Sequence, residues 1–170
     1  MILSLASFTT LATLSSVTMT NASTVYKIQW LNPNVSYSNS VKIANAALKC
    51  EKKSGVGINT ILGLIYTESS FKINAYNEYS NDYGLTQVNH WHVRRSGLDK
   101  ERLLRDVDYN VKHGCGILTY FKNRYGQSEN KNEFLARFNC GTRKGCYKWK
   151  PVKRYVAKIR RTEKIIKVFD

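Results

Sequence analysis

The sequence predicts a single, mainly helical α+β domain, and three observations point to it. A chain of 170 residues suits one hydrophobic core and is short for two. Apolar residues recur at helical spacing in five separate stretches. Between the second and third stretch, residues 74–92 lose that period and are crowded with Asn, Ser, Asp, Tyr and Gly, a composition of turns and of a short β-hairpin around Tyr79 to Val88.

The elements follow in order. The first 22 residues carry no charge, and Ile2 to Val17 form a weakly apolar run diluted by Ser and Thr, with small residues toward Ala22. Residues 1–22 read as a signal peptide cleaved after Ala22, although the basic n-region is missing; a weak signal anchor is the alternative. Residues 23–39, around Pro33, show no period and read as an N-terminal arm, and the domain proper spans residues 40–170. Ser40 is the expected N-cap of a helix carrying Val41, Ala44, Ala47 and Leu48, which Gly55 and Gly57 end. A second helix begins after Asn59 and runs through Ile61, Leu64, Ile65 and Glu68. Asp106 or Asp108 caps a long third, with Val107, Val111, Cys115, Leu118 and Phe121 on one face and Gly126 beyond its end. Asn132 caps a shorter one through Phe134, Leu135 and Phe138, and the last carries Val152, Tyr155, Val156, Ile159 and Ile166 as an apolar stripe.

Charge narrows the partners. The 27 Lys and Arg against 12 Asp and Glu leave a net +15, so a partner found by long-range attraction is anionic: nucleic acid, a membrane surface or a cell-wall polymer. The excess is concentrated at the C-terminal end, where Arg143, Lys144, Lys148, Lys150, Lys153, Arg154, Lys158, Arg160, Arg161, Lys164 and Lys167 face only Glu163 and Asp170. A solvated helix face explains such a run equally well.

Cys50, Cys115, Cys140 and Cys146 are four in number, and an even count beside an export-like leader points to two disulfides outside the cytoplasm. Three pairings are open. Cys140-Gly-Thr-Arg-Lys-Gly-Cys146 is the easiest loop to close, which leaves Cys50 for Cys115; four buried free thiols are the alternative. The cysteines match no zinc spacing, and His90-Trp91-His92, read as an extended segment whose adjacent positions point to opposite faces, is followed by no carboxylate partner, so neither a metal nor a cofactor is expected.

Glu68 stands out among the acids. It follows Leu64 by four residues and Ile65 by three, so on a helix it shares their apolar face. Burial there disfavours the carboxylate, raises the pKa and leaves an acid able to donate a proton near neutral pH. A structural Glu at the rim of the core is the alternative.

The order of residue types around it decides between them. Glu68-Ser69-Ser70-Phe71 is followed by Asp82-Tyr83-Gly84-Leu85-Thr86-Gln87-Val88-Asn89, by Asn110-Val111-Lys112-His113-Gly114, by Ala136-Arg137-Phe138-Asn139-Cys140-Gly141 and by Tyr155-Val156. From about Val41 to Ile159 this series resembles the soluble lytic transglycosylases of the lysozyme-like superfamily, above all the small members tied to secretion, conjugation and pilus systems or carried in phage particles. The resemblance implies a lysozyme-like domain with Glu68 as sole acid and base. Ser69 would hold the helix end and Asp82 support the loop. Gln87 and Asn89 would line the saccharide groove, Phe138 and Asn139 would stand where the family has Tyr-Asn, and Tyr155 would approach from the last helix. Thr86 replaces the usual Met and Phe138 the usual Tyr, which puts the shape of the inner groove in question.

The implied reaction needs one well-placed acid. Glu68 would protonate the bridging oxygen, and the muramic acid C6 hydroxyl would then attack while the same carboxylate takes its proton, giving a 1,6-anhydro sugar. The implied partners are peptidoglycan glycan strands, anionic envelope polymers attracted by the basic helix, and virion or secretion-system components; no specific nucleic acid is expected. Tyr76, Tyr79, Tyr83 and Trp91 flank the motif loop and could pack on sugar faces. Two rivals remain. Asp82-Tyr83-Gly84 also resembles the strand motif of animal-type lysozymes, in which an Asp supplies the second carboxylate of a hydrolase. A noncatalytic basic binding module is the other. The expected location is periplasmic, extracellular or virion-borne.

Overall fold

The computed structural model describes residues 20–170. The expected leader therefore lies outside the described residues except for 20–22, which belong to a helix, α1, whose described residues run from 20 to 31. Residues 23–31 show no obvious period in the sequence, yet Thr24, Val25 and Ile28 recur at helical spacing and are buried. Lys27 is buried too, its ammonium held by Asn59 Oδ1 at 3.0 Å and by the Asp170 carboxylate.

After the turn at Pro33, α2 spans Tyr37–Ser54. Its N-cap is Ser36, whose hydroxyl accepts from Asn39 N–H; the expected cap, Ser40, is one turn inside and buried, its hydroxyl accepting from Gln29 Nε2 at 2.6 Å. The helix starts earlier than the apolar pattern because its first turn opens with exposed Tyr37 and Ser38. Gly55 ends it. α3 follows as Ile58–Ser69, with Ile61, Leu62, Leu64 and Ile65 inside.

The irregular segment holds a three-stranded antiparallel sheet, one strand more than a hairpin: β1 Tyr76–Asn77, β2 Asp82–Tyr83 and β3 Val88–Asn89, in that spatial order. Tyr83 pairs with both Tyr76 and Val88, and Asp82 with both Asn77 and Asn89. The next residues are not extended, as the sequence reading had them. His90–Ser96 is helix α4, because the Asn89 side chain accepts from Trp91 N–H and caps it. A further short helix, α5 at Lys100–Arg105, is capped by Asp99. Tyr83, Val88, Val93 and Leu103 form a small second core under this lobe.

Three longer helices complete the main core. α6 spans Val107–Tyr125 with Asp106 as its cap, α7 spans Glu133–Cys140, and α8 spans Lys150–Ile166 after a 3-10 turn at Cys146–Lys148. Disulfides join Cys50 to Cys115, tying α2 to α6, and Cys140 to Cys146. α3 and α8 share an extensive helix contact. Gly63 permits it: a Cβ at that position would lie 2.9 Å from the Ile159 carbonyl oxygen, so only glycine lets the two backbones approach this closely.

Candidate functional site

Glu68 lies in the last turn of α3, where the antiparallel α8 brings Tyr155 to it. The Tyr155 hydroxyl donates to Glu68 Oε1 at 2.5 Å, and no described residue donates to Oε2. Burial pushes the Glu68 carboxyl from the ordinary 4.5 up to about 7; the Tyr155 hydrogen bond and the Lys158 charge pull it down less, and the nearby Asp82 charge adds to the rise. The Tyr155 hydroxyl is itself held well above its usual pKa, first by burial and then by Glu68, so it remains a donor.

The chain leaves Glu68 by a strained exit. Ser70 and Phe71 both adopt left-handed backbone, φ 52° and 65°, a conformation that costs a non-glycine residue roughly 1–2 kcal/mol. Burial of Phe71 against Tyr66 offsets it, and Asn32 Nδ2 holds the Ser70 carbonyl at 2.8 Å. Ser69 donates back to the Ile65 carbonyl at 3.1 Å and so closes the helix end beside Glu68.

Opposite stands the sheet. The Asp82 carboxylate accepts from Asn89 Nδ2 and from the Ser80 hydroxyl, each at 2.5 Å, while Asn89 also caps α4. Gln87 sits at φ 47° and its amide nitrogen bonds the Gly84 carbonyl at 2.8 Å and the Ala75 carbonyl at 3.3 Å. Both polar side chains expected to line a groove thus spend their amide nitrogens on their own loop.

Beneath the loop lies a buried polar knot that sequence reasoning quoted only as part of a pattern. Asn110 Oδ1 accepts from Thr86 N–H at 2.9 Å and from the Thr86 hydroxyl at 2.8 Å. Its Nδ2 donates to the carbonyls of Tyr83 at 2.8 Å and Leu103 at 2.9 Å. Gly114, one turn along α6, makes room: a Cβ there would stand 2.2 Å from the Thr86 hydroxyl oxygen. Thr86 is buried in this knot, with its hydroxyl turned to Asn110.

A cleft of about 870 Å³ runs between α4, α6 and the loop after α7, with Asn89, Trp91, Ile117, Tyr120, Phe138 and Asn139 on its walls. Glu68 and Tyr155 are not on those walls. The link is Asn89, which bonds Asp82, the residue whose charge reaches Glu68. The loop wall is held by Arg137, which sequence reasoning missed. Its guanidinium pairs with buried Glu133 at 2.9 Å, donates to the Arg143 carbonyl at 2.8 Å and lies over the Tyr125 and Tyr147 rings. The only trace in the sequence is the i, i+4 spacing of Glu133 and Arg137, common on exposed helices as well. Another hollow, about 770 Å³ between α2 and the start of α6, holds none of the expected site residues. Among the described residues no group of three or more His, Cys, Asp or Glu could hold a metal ion.

One arrangement therefore combines a half-buried acid poised near neutrality, a tyrosine donor on it and a loop braced opposite. A family model described as "Transglycosylase SLT domain" matches residues 45–159, which include all of these groups. Neither a curated protein nor a solved structure matches the chain.

Proposed function

Since the chain belongs to the SLT transglycosylase family, we propose that it cleaves the β-1,4 bond between MurNAc and GlcNAc of bacterial peptidoglycan, with Glu68 as its one acid and base and a 1,6-anhydromuramic product. The observation that carries this is the state of Glu68. A carboxyl near pKa 7 is half protonated at neutral pH, with Oε2 free to meet the bridging oxygen and Oε1 oriented by Tyr155. Proton donation breaks the glycosidic bond as positive charge grows on the sugar ring. The carboxylate left behind stabilises that charge and then takes the proton of the C6 hydroxyl as its oxygen closes on C1. The acid is restored without water.

In this reading Asp82 supports the loop, where Ser80 and Asn89 engage one oxygen each, and takes no part in bond making. Ser69, Gln87, Asn89, Phe138 and Asn139 position the site or bind the strand. Mass spectrometry of fragments released from purified sacculi tests the reading: the wild-type protein should yield 1,6-anhydromuropeptides, and Asp82→Asn should slow the reaction without changing the product. Reducing-end products, with Asp82→Asn as inactive as a Glu68 variant, would make the enzyme a hydrolase.

The two disulfides support a location outside the cytoplasm, periplasmic or extracellular. Recruitment to the anionic wall falls to the exposed cations of the C-terminal helix. Arg160 is not one of them, since it is tied to Asn132, Thr60 and Glu163. Changing exposed Lys153, Arg161, Lys164 and Lys167 to Gln should weaken sacculus binding at low salt and flatten its salt dependence, with turnover of a short glycan unchanged.

A further inference from the structure

The cleft between α4, α6 and the 140–146 loop carries two guanidinium groups with no ion-pair partner among the described residues. Arg95, on α4, lies over the Trp91 indole at 5.1 Å, and Arg143, on the disulfide-closed loop, lies over the Trp149 indole at 5.3 Å. Both line the cleft, whose walls include no Asp or Glu. A guanidinium held over an indole keeps its fork of N–H donors, which matches a carboxylate, and among the described residues neither arginine spends a side-chain N–H on a protein acceptor. The backbone beneath Arg143 is fixed as well, by Arg137 and by the Cys140–Cys146 bond.

The other titratable groups of the cleft do not compete. His92 is pushed below its usual pKa by burial and by Arg95, and His113 by burial and by Lys112, Lys53 and Arg102, so both stay neutral at neutral pH. The positive charge of the cleft is therefore that of the two arginines, over apolar walls that include Phe138 and Ile117.

We propose that Arg95 and Arg143 form a binding site for the free carboxylates of the peptide stems, so that the cleft selects glycan strands by the charge of their substituents. The inference rests on the peptidoglycan reading above. The sugar rings of the strand offer shape and hydroxyls but little charge, whereas each stem hangs from muramic acid with carboxylates that a planar fork can grip. Strands whose stem carboxylates are amidated would then be poorer ligands, although their glycosidic bonds are the same.

The test uses the full chain and two ligands: glycan strands with free stem carboxylates, and the same strands amidated with carbodiimide and ammonia. Binding is measured with Glu68→Gln protein, which keeps strands intact, and cleavage with the wild type. Amidation should raise Kd, and Arg95→Gln and Arg143→Gln should each raise Kd for the free-carboxylate strands about fivefold, a modest factor because both groups are solvent-exposed. The variants should bind amidated strands as the parent does. Equal binding of the two strand types, or an equal loss on both when the arginines are changed, overturns the inference. Absence of cleavage by the wild type with this binding pattern intact would overturn the catalytic reading and leave the carboxylate site standing.

Discussion

Glu68→Gln should leave the fold intact and reduce sacculus clearing by roughly 10²- to 10⁴-fold, the usual worth of a positioned general acid. The amide keeps the size of the side chain and can still accept from Tyr155, but it has no proton to give. With the carboxyl at about 7, kcat/KM of the wild type should fall as pH rises past neutrality, because the protonated form begins the reaction. Stability gives an independent check. A carboxyl with a folded pKa of about 7 and an ordinary value of 4.5 binds more protons folded than unfolded between those values. Wild-type stability therefore drops as pH rises from about 4.5 through 7, while Glu68→Gln lacks that drop. Melting curves of the two proteins should diverge over this window in favour of the variant. A variant that retains more than a few per cent of wild-type rate, or curves that stay parallel, would remove Glu68 from the role.

Asn110→Ala should be the most damaging substitution outside the reactive groups. It removes four hydrogen bonds at once and strands the Thr86 N–H and the Tyr83 and Leu103 carbonyls beneath the sheet. Buried groups left unpaired cost about 1–3 kcal/mol each, so a loss of roughly 3 kcal/mol or more is expected, a large part of the 5–15 kcal/mol that holds a typical domain. In a chain of this size that lowers Tm by roughly 6–12 °C. Activity at low temperature should fall too, because the turn carrying Gln87 loses its support. Thermal melts and sacculus clearing of the same preparation check both, and a shift of less than about 3 °C would show that solvent replaces the lost bonds.

Much of the scaffold was legible because it rests on local rules. The apolar spacing of Val107, Val111, Cys115, Leu118 and Phe121 specifies one buried face of α6, and of the two candidate caps, Asp106 and Asp108, the structure uses Asp106. Glu68 was conspicuous for the same reason, being a carboxylate out of place on the Leu64 and Ile65 face. The misplaced elements failed where polar side chains take part in structure. Asn89 reads as a turn or ligand residue, yet its carbonyl oxygen caps a helix that makes His90 to His92 helical. Residues 23–39 read as an arm without period, and what that reading does not show is that 23–31 are helical and bury Lys27, a residue whose type argues against burial until Asp170 is seen beside it.

By itself the sequence determined the family, the mainly helical α+β class and the acid that stands on an apolar face, because each is written in residue order and spacing. The tertiary structure alone decided what surrounds that acid. Tyr155 reaches Glu68 across 87 positions of chain only because Gly63 lets α8 close on α3. Thr86 disappears into the Asn110 knot through Gly114, and Arg160, one cation of the C-terminal run, is tied to Asn132. Periodicity reports which face of an element is buried, but the partner a polar group finds there depends on which distant backbones can approach, and that is settled by packing.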